Sequence, residues 1–292
     1  MSKVVCFGEV LWDVFAGEKK IGGAPLNVAL RLQSFGNAIS VISAVGRDSD
    51  GQGILDYLNN SNIDTSLIQE IANQPTSLVN VKLDESGSAS YTIEMPCAWD
   101  FIEFNEDILN IVKSCDAFMF GSLVSRMPIS YQTLNHILED APFKVFDVNL
   151  RPPHYTTDKL LSFMLKADII KFNDEELLEL CHTLDSGTHS LIENIEFISK
   201  RTNTQQICVT LGSEGAILYI NGIAYRSGGY KVKVEDTVGA GDSFLATLVD
   251  GLLKKENPQD VLEKACAIGA LVASKKGANP IIAKKDITKL MS

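Results

Sequence analysis

The chain has 292 residues, of which 45% are hydrophobic and 22% are charged, a balance that excludes an intrinsically disordered or collagen-like chain. Asp and Glu number 37 against 26 Lys and Arg, so the formal net charge is −11. An acidic surface repels phosphate backbones and anionic lipids, and we therefore expect neither nucleic acid nor a membrane surface as the main partner.

Strand-like and helix-like patterns alternate through most of the chain. Residues 4–10 are predicted as a buried strand and residues 24–35 as a helix, with Pro25 near its first turn and Gly36 just past its end. A second helix is predicted from about residue 51 to 60, and further strands at 39–45, 117–120, 144–148, 169–172 and 207–211. This order predicts a doubly wound α/β fold with a mainly parallel sheet and helices on both faces.

Residues 64–104 break this alternation. Two alternating runs, SLVNVKL at 77–83 and ASYTIEM at 89–95, flank the turn-forming stretch DESGS at 84–88, which is typical of a β-hairpin. Such an insertion cannot pack inside a parallel sheet. We therefore predict a small β-sheet lid formed by approximately residues 12–21 and 64–104.

The clearest chemical motif is Asp-Thr-Val-Gly-Ala-Gly-Asp at 236–242, which precedes an apolar stretch with helical spacing. Glycines at a helix start expose backbone N–H groups, and these donors and the helix dipole favour a bound anion. Asp242 beside that anion would be a general base if a hydroxyl lay between them, as an alcohol-phosphorylating enzyme requires. Alternatively, Asp242 complements the helix dipole and the glycines allow a tight turn. The residues alone leave both interpretations open.

The same motif resembles the C-terminal signature of the ribokinase-like carbohydrate kinases, the phosphofructokinase-B type. Two N-terminal motifs, GEVLWD at 8–13 and IGGAPLN at 21–27, resemble the same family and particularly its bacterial fructokinases. The resemblance extends from Val4 to about Pro280. It implies one ribokinase-like α/β domain over residues 1–292 that uses ATP and Mg²⁺.

The activity implied by the resemblance is ATP-dependent phosphorylation of a sugar's primary hydroxyl, with fructose to fructose 6-phosphate as the most specific prediction. Ribose, 2-keto-3-deoxygluconate and a nucleoside are the alternative acceptors, and a sugar-binding regulator that lost its chemistry is the alternative of another class. The chain lacks a GxxxxGK[ST] motif, the HRD and DFG elements of protein kinases, and the GxGxxG of a dinucleotide-binding turn.

By the same resemblance, Asp242 is the catalytic base, and the anion hole for the transferring phosphoryl group comprises Gly239, Ala240 and Gly241. The residues implied in sugar binding are Asp13, Gly22, Gly23, Asn27 and Arg151. From the residues alone, other interpretations stay open for each part of this set. Asp13 could be a solvated loop aspartate, Gly22 and Gly23 a helix lead-in, and Arg151 a partner in a surface ion pair.

The residues implied in ATP binding are Asn173, Thr210, Gly212, Gly215, Gly241 and Asn279. Glu176 and Asn173 are implied in organising Mg²⁺ and its waters, although the same pair is also a good helix start, with Asn173 as N-cap. The glycines at 212 and 215 are equally compatible with a simple β-turn.

A monovalent-cation site is implied at Asp236 and at the carbonyls of Val238, Val272 and Gly277. Ile281 departs from the ribokinase pattern, because it stands where a hydroxyl residue can assist the cation. The sequence therefore leaves dependence on K⁺ open.

Compartment and assembly are predicted from weaker features. No apolar run reaches the ~18–20 residues of a membrane span, and Glu9 and Asp13 interrupt the N-terminal stretch that a signal peptide would need. The six cysteines form no CxxC pair, so we expect a reduced, cytoplasmic protein without a zinc site. Trp99 lies within the predicted lid, where it covers an apolar sugar face or packs at the seam of a homodimer formed through the lid.

Overall fold

The computed structural model describes residues 1–15, 18–83, 89–187 and 190–292. Its strands are β1 (Lys3–Phe7), β2 (Leu11–Phe15), β3 (Glu18–Gly22), β4 (Ala38–Gly46), β5 (Ile68–Ile71), β6 (Ser77–Leu83), β7 (Ala89–Ile93), β8 (Ala117–Gly121), β9 (Phe143–Asp147), β10 (Ile169–Asn173), β11 (Gln206–Thr210), β12 (Ala216–Ile220) and β13 (Ile223–Ser227). Its α-helices are α1 (Ala24–Ser34), α2 (Ser49–Asn60), α3 (Glu106–Lys113), α4 (Pro128–Leu138), α5 (Thr157–Met164), α6 (Asp174–Thr183), α7 (Leu191–Thr202), α8 (Ala240–Leu253), α9 (Pro258–Ala273) and α10 (Lys284–Met291). None of the helices in these ranges is both long and apolar enough to span a membrane.

The large sheet has the strand order β13-β12-β11-β10-β9-β8-β1-β4-β5. Neighbouring strands from β11 to β5 pair in parallel, whereas β12 and β13 extend one edge in antiparallel pairing. The chain builds outward from β1 to β4 and β5, then crosses back and builds from β8 outward on the other side. The predicted doubly wound fold class is confirmed. In such sheets, ligands bind beyond the carboxyl ends of the strands where the order reverses, here between β1 and β8.

Both faces of this sheet are covered by helices, because its strands are apolar on both sides. In β1, Val5 and Phe7 pack into one buried cluster with α3 to α7, while Val4 and Cys6 pack into a second cluster with α1, α2, α8 and α9. Successive side chains of a strand point to opposite faces, so a continuous apolar run fills two cores. This double burial holds the strand ends in fixed positions beneath the site.

The first predicted strand is shorter than expected. It ends at Phe7 instead of residue 10, because Gly8 turns the chain with a φ of 150° and a Cβ there would lie 2.6 Å from Pro25 Cγ. The following helix, α1, agrees with the prediction within one residue, with Pro25 in its first turn and Gly36 just beyond its end. The chain between β1 and β2 therefore passes close to the first turn of α1.

Four described strands form a separate small sheet in the order β3-β2-β6-β7. β6 and β7 are the two arms of the predicted hairpin, while its predicted turn at 84–88, and residues 16–17 of the other lid segment, lie outside the described residues. The predicted boundaries of 64–104 are too wide. They include β5, which pairs in parallel with β4 and forms the edge of the large sheet.

Trp99 is the main correction to the predicted lid. It lies in a short 3₁₀ turn, Ala98–Phe101, and its side chain is fully buried in the core. The guanidinium of Arg126 lies 3.9 Å from the centre of its ring and forms two 2.7 Å hydrogen bonds with the carboxylate of Asp100. Trp99 therefore neither covers a sugar nor forms a dimer seam. It anchors the chain where it returns from the small sheet to the core.

Candidate active site

A cleft opens where β10 and β11 end and α8 begins. The cavity there has a volume of about 800 Å³, within the range of small-ligand sites. Five of the six predicted ATP-binding residues line it: Asn173, Thr210, Gly212, Gly215 and Gly241. The rest of the wall comes from α6, α8, α9, residues 213–214, Thr237 and residues 229–234, and the sequence analysis did not assign this last segment to the site.

The start of α8 is uncovered toward this cleft. Gly239 precedes the helix with a φ of 75°, and a Cβ there would lie 2.6 Å from Ala278 Cα, so the turn requires glycine. No hydrogen bond in the described part of the chain engages the backbone N–H of Gly241 or Asp242. These two donors, at the positive end of the helix dipole, can bind an anion.

Asp242 lies in the first turn of α8, partly exposed beside these donors. Its Oδ2 accepts a 2.8 Å hydrogen bond from Asn27 Nδ2 of α1. Burial raises the pKa of Asp242 to about 6, and the charge of Asp147 adds to this effect, while the Asn27 hydrogen bond and Lys171 oppose it. A carboxylate with this pKa is mostly ionised at neutral pH and suited to take a proton.

Lys171 is a cation that the sequence analysis did not identify. It lies in β10 directly opposite Asp147 of β9, with 3.1 Å between its Nζ and Asp147 Oδ1, and both side chains are less than 10% exposed. Burial acts to lower the pKa of Lys171, but the carboxylates of Asp147 and Glu176 outweigh burial and raise it. A Cβ on Gly241 would lie 3.7 Å from Lys171 Nζ, so this permanent ammonium borders the uncovered start of α8.

Glu176 and Asn173 form a reciprocal cap at the start of α6. Asn173 Oδ1 accepts from the Glu176 N–H at 2.7 Å, and Glu176 Oε2 accepts from the Asn173 N–H at 2.8 Å. Glu176 Oε1 accepts from the Leu150 N–H at 2.9 Å, so both carboxylate oxygens already bind backbone donors. The capping interpretation of this pair is therefore confirmed.

The acidic groups near Lys171 fit a Mg²⁺ ion that is held mainly by nucleotide phosphates and water. No group of three or more His, Cys, Asp or Glu in the described ranges has the arrangement of a metal cage. Apart from its ion pair with Lys171, Asp147 accepts no hydrogen bond from any of the described residues, although both its oxygens are buried. Carboxylate oxygens beside an anion site are hard ligands of the kind that Mg²⁺ with retained waters uses.

The predicted sugar-binding glycines have clear steric reasons. A Cβ on Gly22 would collide with the carboxylate of Asp13, which lies in the neighbouring strand β2. Gly23 has a φ of 106°, and a Cβ there would collide with the carbonyl of Glu9. Burial raises the pKa of Asp13 to about 6, although nearby Arg151 lowers it. Asp13 is thus a partly desolvated carboxylate beside the backbone of two residues that lack side chains.

Glu9 is a second group that the sequence analysis passed over. It is 3% exposed, its Oε2 has no hydrogen-bond partner in the described structure, and burial raises its pKa to about 7. The charge of Arg151 lowers the pKa of Glu9, Asp13 and Asp242 alike. An acidic residue inside the predicted buried strand 4–10 was the available signal. Exposed Arg151 therefore lies where its charge acts on three carboxylates near the predicted sugar-binding residues.

The predicted cation residues come together around Asp236. Its Oδ1 accepts from the Val238 N–H at 3.1 Å and its Oδ2 from the Gly277 N–H at 3.0 Å. The carbonyl of Val272 accepts from the Lys275 N–H at 2.9 Å. This arrangement ties the loop before α8 to the segment after α9.

Asn27 and Asn279 have partners other than those predicted from the sequence. Asn279 does not line the cavity beside α8; it lines a second cavity of about 890 Å³ on the other side of α1 and α8. Its Nδ2 donates to Asn27 Oδ1 at 2.7 Å, and Asn27 in turn donates to Asp242. Both ends of the Asn27 amide thus bind protein groups.

The family model described as pfkB family carbohydrate kinase matches residues 1–285. Probable fructokinase-7 of Arabidopsis thaliana is 28% identical over 312 residues, which cover 97% of this chain and 90% of that protein. A putative sugar kinase of Pyrococcus horikoshii is 31% identical over 291 residues, covering 96% and 89%.

Solved structures agree in fold over the full length. Fructokinase from Vibrio cholerae, solved with fructose, ADP and a calcium ion, superposes with a TM-score of 0.84 at 25% identity and covers 100% of this chain and 99% of that one. Fructokinase from Xylella fastidiosa with bound ATP has a TM-score of 0.86 at 22% identity, covers 99% and 98%, and supports the fold alone.

Proposed function

The chain belongs to the pfkB family of carbohydrate kinases and is an ATP-dependent sugar kinase; from this premise we propose that it converts fructose to fructose 6-phosphate. Fructose is supported by the curated relatives, several of which are named fructokinases, and by the Vibrio cholerae fructokinase that holds fructose and ADP.

The observation that carries the proposal is the position of Asp242 between the cavity beside α8 and the residues predicted to bind the sugar. On one side, Gly241 lines the 800 Å³ cavity in which ATP would lie. On the other, Asn27 connects Asp242 to α1, whose start follows Gly22 and Gly23 beneath the small sheet. A hydroxyl of a sugar held at Asp13, Gly22 and Gly23 and a phosphoryl group in the cavity beside α8 would meet at this carboxylate.

In the proposed reaction, Asp13 and the backbone at Gly22 and Gly23 hold the sugar with its primary hydroxyl against Asp242. The carboxylate takes the hydroxyl proton, a bond forms between that oxygen and the γ-phosphorus, and the bond from the γ-phosphorus to the bridging oxygen of ADP breaks. The free N–H groups of Gly241 and Asp242 and the ammonium of Lys171 stabilise the charge on the transferring group.

Mg²⁺ bound to the nucleotide, with Asp147 and Glu176 facing its waters, would neutralise phosphate charge. We also propose a K⁺ ion at Asp236, Val238, Val272 and Gly277. Turnover in KCl compared with tetramethylammonium chloride tests that site, since equal rates would argue against it.

A panel of acceptors with ATP and Mg²⁺ tests the proposed substrate by the rate of ADP release. Fructose should give the highest kcat/KM among fructose, ribose, 2-keto-3-deoxygluconate and adenosine. A higher value for another sugar would reject fructose. Binding of fructose without ADP release would favour a sugar-binding regulator.

2-Keto-3-deoxygluconate is the second candidate, because Arg151 offers an exposed guanidinium to a substrate carboxylate. Arg151→Gln should lower kcat/KM for the keto acid far more than for fructose if that acid is the substrate. Equally small decreases in kcat/KM for the two acceptors would retain fructose as the proposed substrate.

Closure of the small sheet over the sugar should appear in hydrogen exchange. Saturating fructose is expected to slow amide exchange in β2, β3, β6 and β7, because closure excludes water from the sugar pocket. β5 is a matched control, since it lies in the same stretch of sequence as β6 and β7 but pairs with the large sheet. Unchanged exchange in the small sheet, or equal slowing in β5, would contradict a closing lid.

We propose that the chain works in the reducing cytoplasm, since all six cysteines are buried free thiols. A homodimer through the small sheet is proposed as well, because its Leu11, Phe15 and Val79 form only a small cluster apart from the two main cores. Light scattering of the chain in solution tests the dimer, and a monomer mass would reject it.

A further inference from the structure

Three side chains from distant parts of the chain form a continuous line of hydrogen bonds that ends on Asp242. Asn279 Nδ2 donates to Asn27 Oδ1 at 2.7 Å, and Asn27 Nδ2 donates to Asp242 Oδ2 at 2.8 Å. Asn27 is 4% exposed and lies within α1. No hydrogen bond in the described structure engages Asp242 Oδ1, so that oxygen is available to a substrate hydroxyl.

The direction of this line matters because an amide has a donor end and an acceptor end. If Asn27 were rotated by half a turn about its last bond, its carbonyl oxygen would face the carboxylate of Asp242 and repel it. In the orientation observed, the Asn279 N–H faces the Asn27 oxygen and the Asn27 N–H faces the carboxylate, so both contacts pair a donor with an acceptor.

Arg31 holds the same C-terminal segment from one turn further along α1. Its Nη2 donates to the Pro280 carbonyl at 2.9 Å, and its Nε donates to Ser243 Oγ at 3.1 Å. Arg31 therefore attaches the segment carrying Asn279 to α1, and it also binds the residue that follows Asp242. Asn279 is thus held in a fixed position relative to the base.

We propose that Asn279 and Asn27 are positioning residues that orient Asp242 for proton removal, with Asn279 acting through Asn27. This inference rests on the proposed role of Asp242 as base. It replaces the predicted role of Asn279 in ATP binding, since that side chain faces away from the ATP-side cavity. Asn27 keeps one N–H for a sugar, but its main partner is the base.

This line of hydrogen bonds from Asn279 through Asn27, which we call the relay, also affects the charge on Asp242. The charge of Asp147 raises the pKa of Asp242, whereas the hydrogen bond from Asn27 and the charges of Lys171 and Arg151 lower it and favour the ionised form. Removing a donor from a carboxylate raises its pKa. Loss of one hydrogen bond to a charged group corresponds to a change of roughly one unit in the pKa of that group.

The first test is a direct titration of Asp242 by NMR of protein labelled with ¹³C-carboxyl aspartate, with Asp242→Asn identifying the resonance. The pKa of Asp242 should rise by roughly one unit in Asn27→Leu and in the same direction, by less, in Asn279→Ala. Exposed Ile281 lies in the same segment, so Ile281→Ala is the control and should leave the titration unchanged. An unchanged titration in both asparagine variants would overturn the proposal.

The second test is kinetic. In Asn27→Leu, kcat should fall about 10-fold or more, and in Asn279→Ala less, with the KM for ATP unchanged. The acid limb of kcat/KM should move to higher pH, because activity requires the ionised carboxylate. The double variant should be no slower than Asn27→Leu alone, because Asn279 acts through Asn27.

Multiplying effects in the double variant, or a raised KM for ATP in Asn279→Ala, would instead make Asn279 an independent ATP ligand and overturn the relay. Asn279 is only half-buried, so its variant keeps the test valid even if Asn27→Leu does not fold. If the wild-type chain phosphorylates no acceptor while the NMR titration shifts as expected, the proposed function fails and the relay stands.

Discussion

Replacing Asp242 with Asn is expected to lower kcat by about 10²–10⁴-fold, the usual contribution of a positioned general base. Asn is nearly the same size and still accepts a hydrogen bond at the start of α8, so the fold should persist. It cannot take a proton at neutral pH. Steady-state turnover with saturating fructose and ATP measures the loss.

Fructose affinity separates this effect from a binding defect. Asp242→Asn should bind fructose nearly as well as the wild type, whereas the matched variant Asp13→Asn should raise the KM for fructose and affect kcat less. Circular dichroism of both variants controls for folding. If Asp242→Asn retained more than about a tenth of wild-type kcat, Asp242 would be a helix-capping residue and the mechanism would be wrong.

Replacing Lys171 with Met is expected to lower kcat by about 10²–10³-fold, which is typical when one donor to a developing negative charge is removed. The ammonium borders Gly241 and the free N–H groups of α8, where the transferring phosphoryl group would lie. The effect should appear in kcat more than in the KM for fructose, because Lys171 lies on the ATP side of Asp242.

A structural role for Lys171 makes a different prediction, because the single variant leaves Asp147 buried without its ion-pair partner. The double variant Asp147→Asn/Lys171→Met removes both charges. If Lys171 only neutralised Asp147, the double variant would regain turnover. Our proposal predicts that it remains as slow as Lys171→Met, and that Lys171→Arg, which keeps the charge, is faster than both.

Local patterns in the sequence predicted the sheet and the start of α8. Apolar runs predicted the strands of the parallel sheet because those strands are buried on both faces. Their sequences are therefore apolar at successive positions instead of alternating between apolar and polar residues. The glycines before Asp242 marked a helix start because few other residues allow the backbone of Gly239, with its φ of 75° against Ala278.

Contacts across the sheet could not be predicted in the same way. Lys171 stands in the apolar run IIKFN, and its charge there was a signal, since a lysine is rarely buried without a partner. The partner, however, depends on the register of β9 and β10, which places Asp147 beside it. The relay is harder still, because Asn27 and Asn279 are 252 positions apart.

The predicted boundaries of the small sheet were wrong for a related reason. Strand-like residues at 68–71 and in the hairpin have the same local pattern, but β5 pairs with β4 and the hairpin pairs with β2. Trp99 was assigned to the lid by position alone. The buried ion pair between Arg126 and Asp100, which determines where its ring lies, joins residues 26 positions apart.

The most direct test of the whole account is ³¹P NMR of a reaction with ATP, Mg²⁺ and fructose, run in parallel with the wild-type chain and Asp242→Asn. The account predicts ADP and fructose 6-phosphate in equal amounts from the wild type, and no detectable sugar phosphate from the variant over the same time. Phosphate on a different hydroxyl, such as fructose 1-phosphate, or equal product from the variant would contradict it.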